Sequence, residues 1–120
     1  MHKISGINME ALQRREKKQS AMLREKLESI AISIVSVISP YNPKRIFIFG
    51  SLAGKEWYEG ESDIDIAIEG IAMDKLGSID WAIAEKLGTG RFDLVPMEYA
   101  APALKKSIEL TGKLIYERKD

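Results

Sequence analysis

The chain has 120 residues, a length typical of one domain with one packed core. Its 18 basic and 18 acidic residues give a formal net charge of +0, so overall charge does not favour direct nucleic-acid binding. The chain contains no cysteine, which excludes disulfides and thiolate metal sites, and its single histidine is His2. The absence of an apolar leader and of any membrane-length apolar run favours a cytoplasmic protein without a membrane segment.

The first predicted element is a long helix over residues 9–38, with Asn8 as its N-cap. Five apolar residues recur at spacings of four, three, four and four and form one helical stripe: Leu23, Leu27, Ile30, Ile34 and Ile38. The β-branched run IAISIVSVIS would also suit a strand, but three serines share one face at helical spacing, Ser29, Ser33 and Ser36. The first part of the helix is much more polar. We therefore predict a polar helical extension over residues 1–20 and one catalytic domain over residues 21–120.

Four strands and two further helices are predicted after Pro40. The strands span residues 45–49, 62–69, 91–97 and 113–117, and the helices span residues 78–87 and 101–110. Trp81, in the first of these helices, is expected in the core. Pro96 indicates that the third strand ends, or lies at a sheet edge, there. The order of elements predicts an α/β or α+β fold with one mixed sheet.

Three aspartates dominate the chemistry that the sequence suggests. Asp63 and Asp65 alternate with isoleucines, so both point to one face of the second strand while the isoleucines fill the core. Asp93, between Phe92 and Leu94, is a third candidate on the next strand. Two carboxylates held this close repel each other, and a Mg²⁺ ion relieves that repulsion. Each aspartate alone would most often be a solvated strand residue; together they predict a site for two Mg²⁺ ions, with Mn²⁺ as the alternative.

Gly50 and Ser51 directly follow the first buried strand. Glycine lets the backbone approach a phosphate closely, and the serine hydroxyl and nearby N–H groups can bind its oxygens. A phosphate site at the end of one strand and a metal site on the next are what binding a nucleoside triphosphate requires.

These segments resemble a known family. The residues GS…SDIDIAIEG and RFDLVPMEYAAPALKKSIELTGKLIYE resemble the minimal nucleotidyltransferases of the DNA polymerase β superfamily. The resemblance runs from about Lys44 to Glu117 and implies the polymerase β-like nucleotidyltransferase fold. It implies that Asp63, Asp65 and Asp93 are the catalytic metal ligands.

The same resemblance implies that Gly50 and Ser51 bind the triphosphate. The spacer between Ser51 and Asp63 is eleven residues, one more than is usual in the family. The basic residue after this turn is also shifted by one position, and Lys55 is the candidate to reach the phosphates.

The family implies a substrate and a partner. The expected reaction moves a nucleoside monophosphate, AMP from ATP or another NTP, onto an acceptor hydroxyl. Minimal nucleotidyltransferases are commonly encoded with a HEPN-type toxin ribonuclease, so the implied acceptor is a toxin tyrosine and the implied role is that of antitoxin. Two alternatives stay open: a small-molecule nucleotidyltransferase subunit, and a non-catalytic antitoxin that masks its partner. A homo-oligomer is also left open.

Overall fold

The computed structural model describes residues 8–50, 52–54 and 62–119 of the chain. Within them the elements follow in the order α1 (Met9–Ile38), β1 (Arg45–Phe49), β2 (Ile64–Glu69), α2 (Leu76–Leu87), β3 (Phe92–Pro96), α3 (Pro102–Thr111) and β4 (Lys113–Glu117). The predicted fold class, a mixed sheet packed with helices, is confirmed. In the part of the chain described, no helix is long and apolar enough to cross a membrane.

Helix α1 begins where the sequence predicts. The side chain of Asn8 accepts a hydrogen bond from the backbone N–H of Ala11 at 3.1 Å, which satisfies one of the free donors of the first turn. Its buried residues, Ile30, Ile34 and Ile38, belong to the predicted stripe. Earlier in the helix most side chains are exposed, and the predicted division between residues 20 and 21 stays a prediction.

The four strands form one sheet in the order β3-β2-β1-β4. Strand β1 is antiparallel to both β2 and β4, whereas β2 and β3 run parallel and are joined by a crossover through α2. The end of β1 and the starts of β2 and β3 therefore meet at the same end of the sheet. Strand β3 is an edge strand that stops at Pro96, as the sequence predicts.

The two faces of the sheet are covered unequally. On one face the alternate isoleucines of β1 and β2 pack against α1 and α2 and form the main core. On the other face a smaller cluster contains Phe47, Ala67, Met97 and Ile108, the last contributed by α3. Because side chains alternate along β2, Asp65 shares the thinly covered face with Ala67.

Trp81 is not in the core, and the sequence-based prediction for it is wrong. Its side chain is 68% exposed, whereas Ile79 and Ile83 of the same helix are fully buried. A residue two positions from each of these isoleucines lies about 200° around the helix from them. The buried face of α2 is therefore set by its isoleucines, and the tryptophan points to solvent.

Arg45 ties the far end of the sheet to α3. Its Nε donates to Glu69 at 2.8 Å, and its Nη2 donates to Glu69 at 3.0 Å and to Glu109 of α3 at 2.9 Å. The guanidinium carbon also lies 5.1 Å from the centre of the Phe47 ring. The hydrogen bonds from Arg45 lower the pKa of Glu69, while burial acts in the opposite direction. This network is at the opposite end of β1 from Gly50 and is structural.

Candidate active site

Asp65 and Asp93 lie side by side at one end of the sheet. The parallel register of β2 and β3 pairs Asp65 with Asp93, and the antiparallel register of β1 and β2 pairs Asp65 with Phe49. Paired residues on neighbouring strands share a face and are about 5 Å apart. Two carboxylates thus occupy adjacent positions beside the turn that begins at Gly50.

The environment of Asp65 disfavours its charged form. Burial raises the pKa of the Asp65 carboxyl, and the charges of Asp93 and Asp63, together with a hydrogen bond to Asp93, raise it further. The sequence buries this carboxylate because Asp65 lies between the core isoleucines Ile64 and Ile66 in the middle of the sheet. Carboxyl groups with a raised pKa are enriched at functional sites, which makes Asp65 a candidate site residue.

Gly50 leaves room for the Asp65 carboxylate. Its φ of +71° lies in the left-handed region, which glycine adopts without strain. A Cβ atom built at Gly50 would collide with Oδ2 of Asp65 and lie 3.1 Å from its Cγ. The backbone then turns immediately, because the N–H of Gly54 donates to the Gly50 carbonyl at 3.2 Å. Glycine is therefore required here both for the turn and for the neighbouring acid.

Asp63 lies beside Arg91, a basic residue for which the sequence predicted no role. The Nε of Arg91 lies 3.4 Å from Oδ1 of Asp63, and both side chains are about half exposed. The pair extends the register of the two strands, since the N–H of Ile64 donates to the Arg91 carbonyl at 3.1 Å. The signal in the sequence is that Arg91 precedes Asp93 by the same two positions by which Asp63 precedes Asp65.

The three predicted carboxylates are not gathered into one ligand set. Among the described residues, no three acidic or histidine side chains are grouped so that they could hold a metal ion together. Asp65 and Asp93 are adjacent, while Asp63 pairs with Arg91. Ser51 and Lys55, predicted to contact phosphates, lie outside the described residues. The assignment of these residues to catalysis stays a prediction.

The chemistry of the Asp65–Asp93 pair nevertheless suits a divalent cation. The charges of Asp93 and Asp63 oppose ionisation of Asp65, and a cation bound between the carboxylates would remove that repulsion. Carboxylate oxygens are the ligands that Mg²⁺ and Mn²⁺ prefer. Asp65 and Asp93 are therefore the residues that would hold a metal. Asp63, whose Oδ1 lies 3.4 Å from Arg91, is the third candidate.

A family comparison agrees with this arrangement. The model of the family described as "Polymerase beta, Nucleotidyltransferase" matches residues 32–120, about three quarters of the chain. The chain belongs to this nucleotidyltransferase family. The matched region contains the whole sheet, together with Gly50, Asp63, Asp65 and Asp93. A search of curated proteins gives no significant match.

Solved structures show the same fold in this family. One is a toxin–antitoxin crystal structure with AMP-PNP, which is 23% identical, with a TM-score of 0.63 and coverage of 74% of both chains. A second is the tri-AMPylated Shewanella oneidensis HEPN toxin in complex with MNT antitoxin, at 22% identity and a TM-score of 0.58, covering 77% of this chain and 73% of that chain. A third, described as a minimal nucleotidyltransferase, is 22% identical with a TM-score of 0.57 and covers 91% of this chain and 97% of the other. The predicted resemblance to minimal nucleotidyltransferases is confirmed.

Proposed function

We propose that this nucleotidyltransferase moves AMP from ATP onto an acceptor hydroxyl, a tyrosine of a HEPN-type toxin ribonuclease, and thereby acts as its antitoxin. The observation that supports this most directly is the pairing of Asp65 with Asp93 beside Gly50 at one end of the sheet. Phosphoryl-type transfer needs close approach to the phosphates and carboxylates that position and neutralise charge. Gly50 and the Asp65–Asp93 pair, together at that end of the sheet, support both parts of the proposal.

The proposed reaction is an in-line displacement at the α-phosphate. The acceptor oxygen forms a bond to the α-phosphorus, the bond from that phosphorus to the bridging oxygen of the β-phosphate breaks, and pyrophosphate leaves. The acceptor's proton passes to a carboxylate, for which Asp93 is the candidate. Asp93 suits this role because its side chain is exposed, whereas Asp65 is half-buried between the strands.

Asp65 and Asp93 would hold the divalent cation, with Asp63 as the third candidate. When bound, Mg²⁺ supplies charge neutralisation for the triphosphate and the transition state. Gly50 gives the triphosphate access to the backbone at the end of β1, and Ser51 and Lys55 are proposed to bind its oxygens.

The choice of acceptor is supported by the structural neighbours. One contains AMP-PNP within a toxin–antitoxin complex, and another contains a HEPN toxin with three AMP modifications together with an MNT antitoxin. At 22–23% identity these likenesses establish the fold, and the acceptor assigned to this chain is our proposal. If the neighbouring reading frame encodes a HEPN-type protein, that protein is the substrate to test.

The test is to incubate this protein and the HEPN-type partner with ATP and Mg²⁺ and to measure the intact mass of the partner. Wild type should add one or more AMP groups and suppress the partner's ribonuclease activity. Asp65→Ala and Asp93→Ala should each lower the rate by about 10²-fold or more, because electrostatic stabilisation of this kind is typically worth several kcal/mol. Asp80→Ala is the matched control, since Asp80 is an exposed acid on α2.

The outcomes separate the alternatives. Loss of both modification and toxin suppression in Asp65→Ala, with retained binding, supports catalysis. An unmodified partner that Asp65→Ala suppresses as well as wild type does would leave steric masking as the mechanism. Pyrophosphate release that requires an added small-molecule hydroxyl, with no change in partner mass, would favour the small-molecule transferase.

A further inference from the structure

Arg91 is fixed at the start of β3 by hydrogen bonds to both polar groups of its backbone. Its N–H donates to Oγ1 of Thr89 at 3.1 Å, and its carbonyl accepts from the N–H of Ile64 at 3.1 Å. The second of these bonds continues the parallel pairing of β2 and β3, in which Asp65 lies opposite Asp93. The point from which the Arg91 side chain extends is therefore set by the same register that brings two carboxylates together.

The guanidinium of Arg91 contacts the first of the three aspartates. Its Nε donates a long hydrogen bond of 3.4 Å to Oδ1 of Asp63, and both side chains are about half exposed. An ion pair this exposed adds little to the stability of a fold, because solvent screens it. The main consequence of the contact is therefore electrostatic: it places a positive charge at the edge of an acidic site.

The three aspartates act on one another as a single negative group. Burial, the charge of Asp93 and the charge of Asp63 together raise the pKa of Asp65. Each carboxylate adds to the negative potential that a divalent cation meets at this end of the sheet, and the positive charge of Arg91 reduces it. Mg²⁺ in proteins is usually bound by one or two carboxylates together with phosphate oxygens of a substrate. By offsetting the charge of Asp63, Arg91 brings the site closer to that case.

We propose that Arg91 is a positioning residue that holds Asp63 and weakens the binding of a bare divalent cation, so that tight metal binding depends on the phosphates of the nucleotide. This inference rests on the proposed function, because it assigns the Asp65–Asp93 pair to a complex of metal and nucleotide. Asp65, Asp93 and the phosphate oxygens then supply most of the attraction for the cation. The site can release the cation together with pyrophosphate once transfer is complete.

The test measures the affinity of the whole protein for Mn²⁺ without nucleotide, from the electron paramagnetic resonance signal of free Mn²⁺. Arg91→Met removes the charge and keeps a long side chain at the same position. It should bind Mn²⁺ about three- to tenfold more tightly than wild type, the range expected for one unit charge a few ångströms away at an exposed site. Raising the salt to about 1 M should shrink this difference, because salt screens exposed charges. Arg91→Lys keeps the charge and should stay within about twofold of wild type.

Thermal unfolding tests the dependence on nucleotide. Mn²⁺ alone should raise the melting temperature of Arg91→Met more than that of wild type, since a ligand that binds the native state more tightly stabilises it more. Adding ATP to the Mn²⁺ should then raise the melting temperature of wild type by the larger further increment. Equal increments in the two proteins would refute the dependence of metal binding on the nucleotide.

The control variant is Lys75→Met, which removes the same charge from an exposed lysine beyond the opposite end of β2 and should change the Mn²⁺ affinity by less than about twofold. Mn²⁺ binding by Arg91→Met that equals or falls below that of wild type would overturn the proposal, because a purely structural role gives that result. Equal tightening in Lys75→Met would overturn it too, since net charge would then set the affinity. Mn²⁺ bound equally by wild type and Asp65→Asn would refute the metal site itself. Absence of AMP transfer alone would leave the expected Mn²⁺ affinities unchanged, so the two failures are distinguishable.

Discussion

Replacing Asp65 by asparagine tests whether the charged Asp65 carboxylate lowers the stability of the fold. At neutral pH the Asp65 carboxylate is half-buried beside Asp93 and near Asp63, and both neighbours disfavour its negative charge. Asparagine has nearly the same shape and no charge, and its amide can donate a hydrogen bond to the Asp93 carboxylate. We expect Asp65→Asn to be more stable than wild type at pH 7 in the absence of divalent metal.

The expected gain is about 1 kcal/mol. Like charges directly opposite each other on neighbouring strands destabilise a sheet by about 0.2–1 kcal/mol, and relief of partial burial adds to that. Solvent screens the exposed part of the carboxylate, which keeps the gain near this value. For a domain of this size, about 1 kcal/mol corresponds to a rise in melting temperature of about 2–5 °C.

The pH dependence of stability is a second test of whether Asp65→Asn stabilises the protein. The pKa of Asp65 is raised in the folded protein, so below the ordinary carboxyl pKa of about 3.9 the protonated side chain does not reduce the stability of wild type. As the pH rises through the pKa of the folded state, the carboxyl ionises and the free energy of unfolding of wild type falls. The advantage of Asp65→Asn should therefore be present at pH 7 and vanish near pH 3. Thermal unfolding in EDTA at both pH values measures it, with Asp80→Asn as the control.

Addition of Mg²⁺ and ATP should then raise the melting temperature of wild type and leave that of Asp65→Asn nearly unchanged, since a ligand of the native state stabilises it. A destabilised Asp65→Asn at pH 7, or a gain that persists at pH 3, would refute the electrostatic reasoning. An equal Mg²⁺ and ATP response in both proteins would place the metal elsewhere.

Three further predictions concern single positions. Gly50→Ala should lower the free energy of unfolding by about 1–3 kcal/mol in urea, because of its positive φ and the collision with Asp65. Glu69→Gln should cost about 1–2 kcal/mol at pH 7 through the lost bidentate pair with Arg45. Since the pKa of Glu69 is lowered, that cost should shrink as pH falls below about 4. Trp81→Ala should change stability by less than about 0.5 kcal/mol, and a loss above 2 kcal/mol would contradict its exposure.

The elements of the fold could be predicted from local patterns. Helix α1 has the predicted bounds, because both its cap at Asn8 and its apolar period are local features of the sequence. The predicted strand over residues 62–69 begins two residues later, at Ile64. The reason is not local: β2 starts where β1 and β3 provide partners, with Phe49 opposite Asp65 and Phe92 opposite Ile64.

The candidate site could be predicted only in part. Side-chain alternation places Asp63 and Asp65 on one face, and adjacent strands bring Asp93 beside them. The contact between Asp63 and Arg91 depends on the register of β2 against β3. The equal two-residue spacing in the two strands is consistent with that register but does not determine it. The exposure of Trp81 was missed for a related reason, since hydrophobicity alone does not say which helix face meets the core.

The balanced total charge of the chain conceals a local concentration of acidic groups. Asp63, Asp65 and Asp93 lie at one end of the sheet, where the charges of Asp93 and Asp63 raise the pKa of Asp65. Arg91 lies 3.4 Å from Asp63 and offsets part of this negative charge. A ligand is influenced mainly by charges within about one Debye length, roughly 8 Å at physiological ionic strength, so it responds to this local arrangement and not to the net charge. A neutral composition therefore argues against a broad nucleic-acid-binding surface but permits a cation site at this end of the sheet.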